Sequence, residues 1–485
     1  FGFDMLGVKP VWSSRGIVKS LQRLDISNLQ ENGQPRVRHD AVFTTSGLFR
    51  DLYGSHMLLL ERAVLMALDA SAERIHKDYP ALSYALNATL KPLGAMANSG
   101  NEALAINHVA ARWVADTRAA LQQGLGAELA GKQAAYRVFG DAPGTYGAGV
   151  NRMVERSGSW QQRSEIASVY MRRLGHAYGQ NLHGEPVLAT FKQRLSSINN
   201  TYLGRASNLY GLLDNNDSFD YLGGLSLAVE TLTGSAPENF VIYHPDTKNL
   251  SIEPLQVALL AELRGRYLNP QWLSPLMDEG YAGARTMGSE FLEYLWGWQV
   301  TNPEVIKSWV WDEVKAVYID DKLNLNLDNF LEQGHNVHVK SNMLAVMLVA
   351  AQKDFWQADE QTLQQLAKAF ADLVLAHGLP GSGHTSPNHP LYPWLENYLA
   401  ADQYVQLQQL LAATKVDASV NSAASVVAEI SLKDITLASK EPAAKAEKKS
   451  AKDQFAETKH YYWLAVMVLL LLLIGAYRGS RTPKN

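Results

Sequence analysis

The sequence changes character near residue 411, and that change limits what the whole chain can fold into. Residues 412–459 are dominated by Ala, Ser, Lys and Glu (ASKEPAAKAEKKSAKDQ) and carry few large apolar side chains. Such a segment cannot bury enough surface to offset the entropy of ordering, so it reads as a disordered linker. It leads into Tyr461–Tyr477 (YYWLAVMVLLLLLIGAY), which has no charged residue. As a helix this run rises about 25 Å, short but sufficient for a bilayer span. Tyr461, Tyr462 and Trp463 at one end and Tyr477 at the other match interfacial aromatic belts. The expectation is a globular body over 1–411, a linker, and one C-terminal transmembrane helix.

Charge follows the same division. Residues 412–485 hold 11 Lys/Arg against 7 Asp/Glu, whereas 1–411 hold 33 against 41. A modestly acidic body gives no footprint for nucleic acid, so none is expected as a partner. Cysteine is absent. That excludes disulfides, thiolate metal sites, iron–sulfur clusters and cysteine nucleophiles within the chain. Lys445, Lys448, Lys449, Lys452 and Lys459 precede the apolar run, and Arg478, Arg481 and Lys484 follow it. Charge counting alone places the body in the cytoplasm, but long domains translocate largely regardless of charge. The chain opens at Phe1 in an apolar run with no signal-peptide pattern, which suggests further sequence upstream. The expected localisation is membrane-anchored with a periplasmic body, the cytoplasmic orientation being the alternative.

Within the body, short strand-like runs at Ala41–Thr44, Tyr136–Phe139 and Phe240–Tyr243 alternate with helical patterns at His56–Asp69, Glu102–Gly124 and Arg163–Tyr178. This predicts a mixed α/β part over 1–250. From 251 to 411 the pattern is almost wholly helical, as in Leu255–Arg266, Pro275–Trp298 and Met343–Leu375, and reads as a helix-rich part of the same domain.

Familiar catalytic strings are missing. There is no GxSxG, GxxxxGK[ST] or GxGxxG; in GAELAGKQ (126–133) Gln133 replaces the hydroxyl residue of a P-loop. His335 and His338 in EQGHNVHV, and His384 and His389 in GSGHTSPNHP, lack an obvious third ligand and read as structural or surface residues. GDAPGTYGAGV (140–150) is a glycine-rich loop between a strand and a helix, able to adopt positive φ and approach a flat ligand or another backbone. In DNNDSFDYLGG (214–224), Asp214 and Asp217 suggest a cation, although Ser218, Phe219 and Leu225 break the EF-hand frame. Aromatic residues crowd 267–318, with Arg264, Arg266 and Arg285 nearby.

Five blocks in order carry a resemblance: SGLFRDLY (46–53), RVFGDAPGTYGAGVNRMVERSGSW (137–160), SNLYGLLDNNDSFDYLGGLSLAVE (207–230), RYLNPQWLSPLMDEGYAGARTM (266–287) and LWGWQVTNP (295–303). Together they resemble the large, tetrapyrrole-binding subunit of cobaltochelatases and magnesium chelatases. The resemblance implies a metallochelatase that exchanges a divalent metal (Co, Mg or Fe, as substrate) for protons in a porphyrin or corrin ring, as in cobalamin biosynthesis. It also implies AAA+ ATPase partner subunits if the body is cytoplasmic, with ATP acting only through them. The family's His-Gly-x-x-Gly/Asn-x-Leu-Glu segment is absent; HGLPGSGH (377–384) shares only its first half. The catalytic carboxylate is therefore expected upstream of Phe1, and no catalytic residue is assigned. The membrane anchor resembles a branch that removes iron from haem outside the cytoplasm, and a non-catalytic tetrapyrrole carrier is a third reading.

The expected substrate-binding residues are Arg50 and Asp51 at the end of a strand-like run, Arg137, Tyr146 and Asn151 framing the glycine loop, Asn208, and Trp272, Tyr281, Trp296 and Trp298 facing the macrocycle. Asp214 and Asp217 are the expected metal or water ligands.

Overall fold

The computed structural model describes residues 1–425 apart from 16, 32, 206–209, 245–249 and 382. Residues 1–415 form one compact body. The run 461–477 and most of the expected linker lie outside the described residues. No helix among the described residues is long and apolar enough to cross a membrane. The helix Ala401–Ser425 continues past residue 411, so the first part of the expected linker is helical.

The chain begins with an antiparallel hairpin, β1 (Val8–Trp12) and β2 (Val18–Arg23). A four-stranded sheet follows, built from β3 (Phe43–Thr45), β4 (Val138–Gly140), β5 (His176–Gly179) and β6 (Leu182–Pro186) in that order. β3 and β4 are parallel, with Phe43 opposite Val138 and Thr45 opposite Gly140. Parallel partners need a long crossover. Here it is helical, and includes α1 (Gly47–Leu52), α2 (Gly54–Asp69) and α3 (His108–Gln122). Ser46 caps α1 by accepting from the Phe49 N–H at 3.2 Å, and Asn107 caps α3 by accepting from Ala110 at 3.1 Å. A second, three-stranded sheet places β8 (Glu238–Tyr243) between β7 (Asn200–Arg205), parallel to it, and β9 (Ser251–Pro254), antiparallel.

After Pro254 every regular element among the described residues is helical. The mixed α/β class with a helix-rich second half therefore stands. Several long helical patterns are divided. Arg163–Tyr178 is the helix α5 (Arg163–Leu174) followed by β5, because Gly175 ends the helix. Met343–Leu375 is two helices, Asn336–Gln352 and Glu360–His377, with Asp359 capping the second at 2.7 Å from the Thr362 N–H. Apolar packing also divides near residues 135–139 rather than at 250. One core gathers Leu6 through Ala134, including Trp113, and another gathers Phe139 through Leu411.

Three helical stretches contain wide, i→i+5 turns: Phe219–Gly223, Leu263–Tyr267 and Thr286–Leu292. Such turns are rare and recur at functional sites. The first runs into α6 (Gly224–Thr233), and the third into α7 (Glu293–Thr301). α7 crosses close to Phe219 because of Gly297: a Cβ there would lie 2.6 Å from the Phe219 ring.

Arg38 ties the N-terminal segment down. Its fully buried guanidinium donates to Leu6 O (2.7 Å), Gly7 O (2.9 Å) and Leu24 O (3.0 Å), and pairs with Glu102 at 2.6 Å. Removing one member of a buried, hydrogen-bonded pair strands the other. Arg38→Ala is expected to lower the unfolding free energy by about 3–5 kcal/mol in a denaturant titration; a loss within about 0.5 kcal/mol, ordinary for a surface substitution, would show that Arg38 holds nothing.

Candidate functional site

The glycine loop between β4 and α4 (Val150–Glu155) is the first wall. Gly144, Gly147 and Gly149 have φ of 77°, 83° and 83°, which L side chains rarely adopt. The turn aims successive N–H groups inward, and Asp220 fills the concavity. Its Oδ2 accepts from Ala148 N at 2.7 Å, and its Oδ1 from Val150 N (2.7 Å) and Asn151 N (3.0 Å). Asp220 is fully buried, and burial pushes its carboxyl above the usual range against these three bonds. The loop's inward donors are thus spent on the protein's own carboxylate.

The outer face of the loop is held by two arginines. Arg50, on α1, donates to Ala142 O (2.8 Å) and Asp141 O (3.1 Å) and pairs with Asp51 at 2.7 Å. Arg173 donates to Gly147 O (2.8 Å) and Tyr146 O (2.7 Å). Tyr146 is 58% exposed, donates to Asp51 at 2.6 Å, and lies with its ring centroid 5.5 Å from the Arg50 guanidinium. The bonds from Arg50 and Tyr146 hold the Asp51 carboxyl down at about 2. Arg50, Asp51 and Tyr146 therefore come together as expected from their positions, and form an aromatic and cationic rim. Asn151 sits at the loop's end, but its Oδ1 accepts from the Arg152 N–H at 2.7 Å.

Other expected residues are placed differently. Arg137 is 2% exposed and locked by Asp40 (2.8 and 3.0 Å), Ala134 O and Tyr136 O. It borders a separate cavity of about 270 Å³ with Glu61, Lys132, Tyr136 and Tyr178. Trp296 and Trp298 have no exposed surface. Their indole N–H groups donate to Val154 O (3.3 Å) and Leu212 O (3.0 Å), so they pack the wall from behind and do not face a ligand. Trp272 is half-buried, edge-on to Tyr267 at 4.7 Å, whereas Tyr281 is 54% exposed. Asn208 lies outside the described residues.

The expected metal ligands are corrected. Asp214 accepts from Arg266 at 2.8 and 2.7 Å, from Gly211 N at 2.6 Å and from the Tyr267 hydroxyl, which leaves no free lone pair aimed at a cation. Asp217 is exposed, and its N–H donates to Asn215 in a local turn at 2.7 Å. Among the described residues no cluster of three or more His, Asp or Glu side chains is arranged to hold a metal. The acidic residues of this segment are a buried brace and a turn.

A polar line missed in the sequence lies beside Trp296. Ser157 Oγ is 2.6 Å from His384 Nδ1 and 2.8 Å from His389 Nε2, and His384 Nε2 is 3.0 Å from Glu293 Oε2. Trp296 meets the His384 ring edge-on, with centroids 6.5 Å apart. Burial, then the neighbouring His384 and Lys353, push His389 down to about 3, so it is neutral. Partial burial and then the Glu293 charge push Glu155 up. Tyr294, pushed up to about 12 by burial, feels Glu290, Arg285, Glu155 and Glu293, and packs on Phe219 at 6.2 Å. Tyr221, next to Asp220, feels Asp141 and Asp217. Charged and aromatic groups thus follow one another from Arg50 and Tyr146, past Asp141 and Tyr221, to Tyr294, Glu155 and Glu293.

Asp214 also makes the acid response legible. Burial alone would raise its carboxyl, but the bonds from Arg266, Tyr267 and Gly211 outweigh it and hold the folded-state pKa below the ordinary 3.8. A lowered folded pKa contributes stability above the unfolded pKa, lost as pH falls through the folded one. Asp214→Asn should cost about 1–3 kcal/mol near neutrality. The gap from wild type in unfolding free energy should close as pH falls below about 3.8; a pH-independent gap would contradict the assignment.

Residues 3–363 match the family described as CobN/Magnesium Chelatase. The chain is 29% identical over 370 residues to the aerobic cobaltochelatase subunit CobN of Pseudomonas aeruginosa, covering 76% of this chain and 26% of that protein. It is 26% identical over 372 residues to the chloroplastic magnesium-chelatase subunit ChlH of Oryza sativa subsp. japonica, covering 76% and 23%. The solved catalytic subunit of cobaltochelatase from Mycobacterium tuberculosis is similar with a TM-score of 0.63 and 26% identity, over 77% of this chain and 28% of that one. The chain spans about a quarter of the length of these relatives. On the match over residues 3–363, this chain belongs to the CobN/magnesium-chelatase family.

Proposed function

We propose that this chain is part of a metallochelatase that binds a tetrapyrrole and exchanges a divalent cation for the two pyrrole N–H protons. The observation that carries this reading is the family match across residues 3–363. Local geometry is consistent with it. A porphyrin or corrin is a broad planar ring edged with carboxylates. Exposed Tyr146 beside Arg50, and exposed Tyr281 on the helix Tyr281–Arg285 that ends in the 60% exposed side chain of Arg285, offer flat surfaces and guanidinium groups. The metal, whether cobalt, magnesium or iron, is a substrate that passes through. ATP would act through AAA+ partner subunits.

The direction of exchange follows from topology. The charge-free run 461–477 in the sequence favours a second reading, a membrane-anchored, periplasmic protein that removes iron from haem. A body outside the cytoplasm has no access to ATP-driven partners there. Protease accessibility of the body in spheroplasts separates the two. Absorption spectra of the full-length protein with haem, and with a free-base porphyrin plus Co²⁺ or Mg²⁺ and the ATPase partners, separate removal from insertion. Porphyrin that stays bound with no spectral change in either assay would make this a tetrapyrrole carrier.

Tyr146→Ala and Tyr281→Ala touch exposed side chains and should leave the fold intact. Each is expected to weaken porphyrin binding by about 2- to 12-fold, the worth of one aromatic contact. A spectral titration in which both variants bind as tightly as wild type would remove this rim from the site.

A further inference from the structure

The line Ser157–His384–His389–Glu293 joins segments far apart in the chain, and one contact fixes every proton in it. The Leu391 N–H donates to His389 Nδ1 at 3.0 Å. That nitrogen is therefore unprotonated, and the neutral ring carries its proton on Nε2. Nε2–H donates to Ser157 Oγ at 2.8 Å. The single hydroxyl proton of Ser157 is then directed to His384 Nδ1 at 2.6 Å. With Nδ1 accepting, His384 carries its proton on Nε2, aimed at Glu293 at 3.0 Å from Oε2 and 3.3 Å from Oε1. Ser157 is fully buried and both imidazoles are 4% exposed, so water does not compete for these bonds. A histidine whose tautomer is set by a partner on its other nitrogen is how proteins orient a working carboxylate or ligand.

We infer that Glu293 is the proton acceptor for the exchange within this chain, and that Ser157, His384 and His389 are its positioning residues. The inference deepens the proposed function and rests on it. In the insertion direction a pyrrole N–H bond breaks, its proton forms an O–H on Glu293, and the electron pair left on nitrogen goes to the incoming divalent cation. In removal the Glu293 O–H returns its proton to nitrogen as the nitrogen–metal bond breaks. Glu293 opens α7 directly after the wide turn Thr286–Leu292. Glu155 stands near it as a second carboxyl whose proton is held more tightly, and two carboxyls with separated proton affinities suit paired acid and base work. The charged and titratable groups facing this site are Glu155 with Arg152 and Arg156, Glu290, Arg285 and Tyr294, and His384, His389 and Lys353. The two imidazoles lie beyond the family match at 3–363.

The test uses the full-length protein with its ATPase partners, a free-base porphyrin and Co²⁺, and separately haem, followed by visible absorption. Glu293→Gln is expected to lower kcat by at least about 100-fold, the usual worth of a general base, with porphyrin affinity within about threefold. His384→Gln keeps an N–H near the place of Nε2 and should retain most of the rate, whereas His384→Leu should not. Nitrogen-15 NMR of labelled histidines should show His384 as the Nε2–H tautomer, and Ser157→Ala should release it. Wild-type turnover in Glu293→Gln, equal rates in the Gln and Leu variants at 384, or an Nδ1–H tautomer would each overturn the inference and leave the proposed function standing. A wild-type protein that neither binds porphyrin nor exchanges metal would remove both.

Discussion

The site region hangs on one buried carboxylate. Asp220 accepts three backbone N–H groups of the glycine loop from inside the first wide turn, and so joins the four-stranded sheet to the helical half. Each bond to an ionised acceptor is stronger than a neutral one. Together they hold a loop whose positive-φ glycines would otherwise leave it many conformations. With its interior donors spent on Asp220, the loop presents outward only what Arg50, Asp51 and Tyr146 offer.

Rigid and exposed parts are separated by chemistry. Trp296, Trp298 and Phe219 are dry and interlocked, and Gly297 lets α7 approach them. On the same helical stretch, Glu293 and Tyr294 project into the polar line. A wall that cannot move and a carboxylate fixed by a defined tautomer leave little reorganisation to be done when charge shifts.

Much of this was readable from residue order. The strands at 43–45, 138–140 and 238–243 carry the short β-branched and aromatic runs that mark them, and the ordered blocks pointed to the family. Arg50, Asp51 and Tyr146 were legible because a strand end and a glycine loop fall close together in an α/β fold. The indoles of LWGWQ were not, since an aromatic residue on a helix reads alike whether it faces core or ligand. Asp214 looked like a cation ligand because the guanidinium that neutralises it, Arg266, lies 52 residues on. Ser157 and His384 are 227 residues apart, and no local spacing announces such a contact.

The wide turn at Thr286–Leu292 has a consequence for how this chain tolerates length changes. Relative to a regular helix it carries extra backbone, and one residue of α-helix corresponds to about 100° of rotation. Losing a single residue there would let the stretch relax to regular winding and turn everything after it by roughly that angle about the axis. Glu293 would swing off His384, and Trp296 would be driven out of its slot. A one-residue deletion in this turn would therefore be far more harmful than one in a surface loop, because the phase of a whole helix is stored in it.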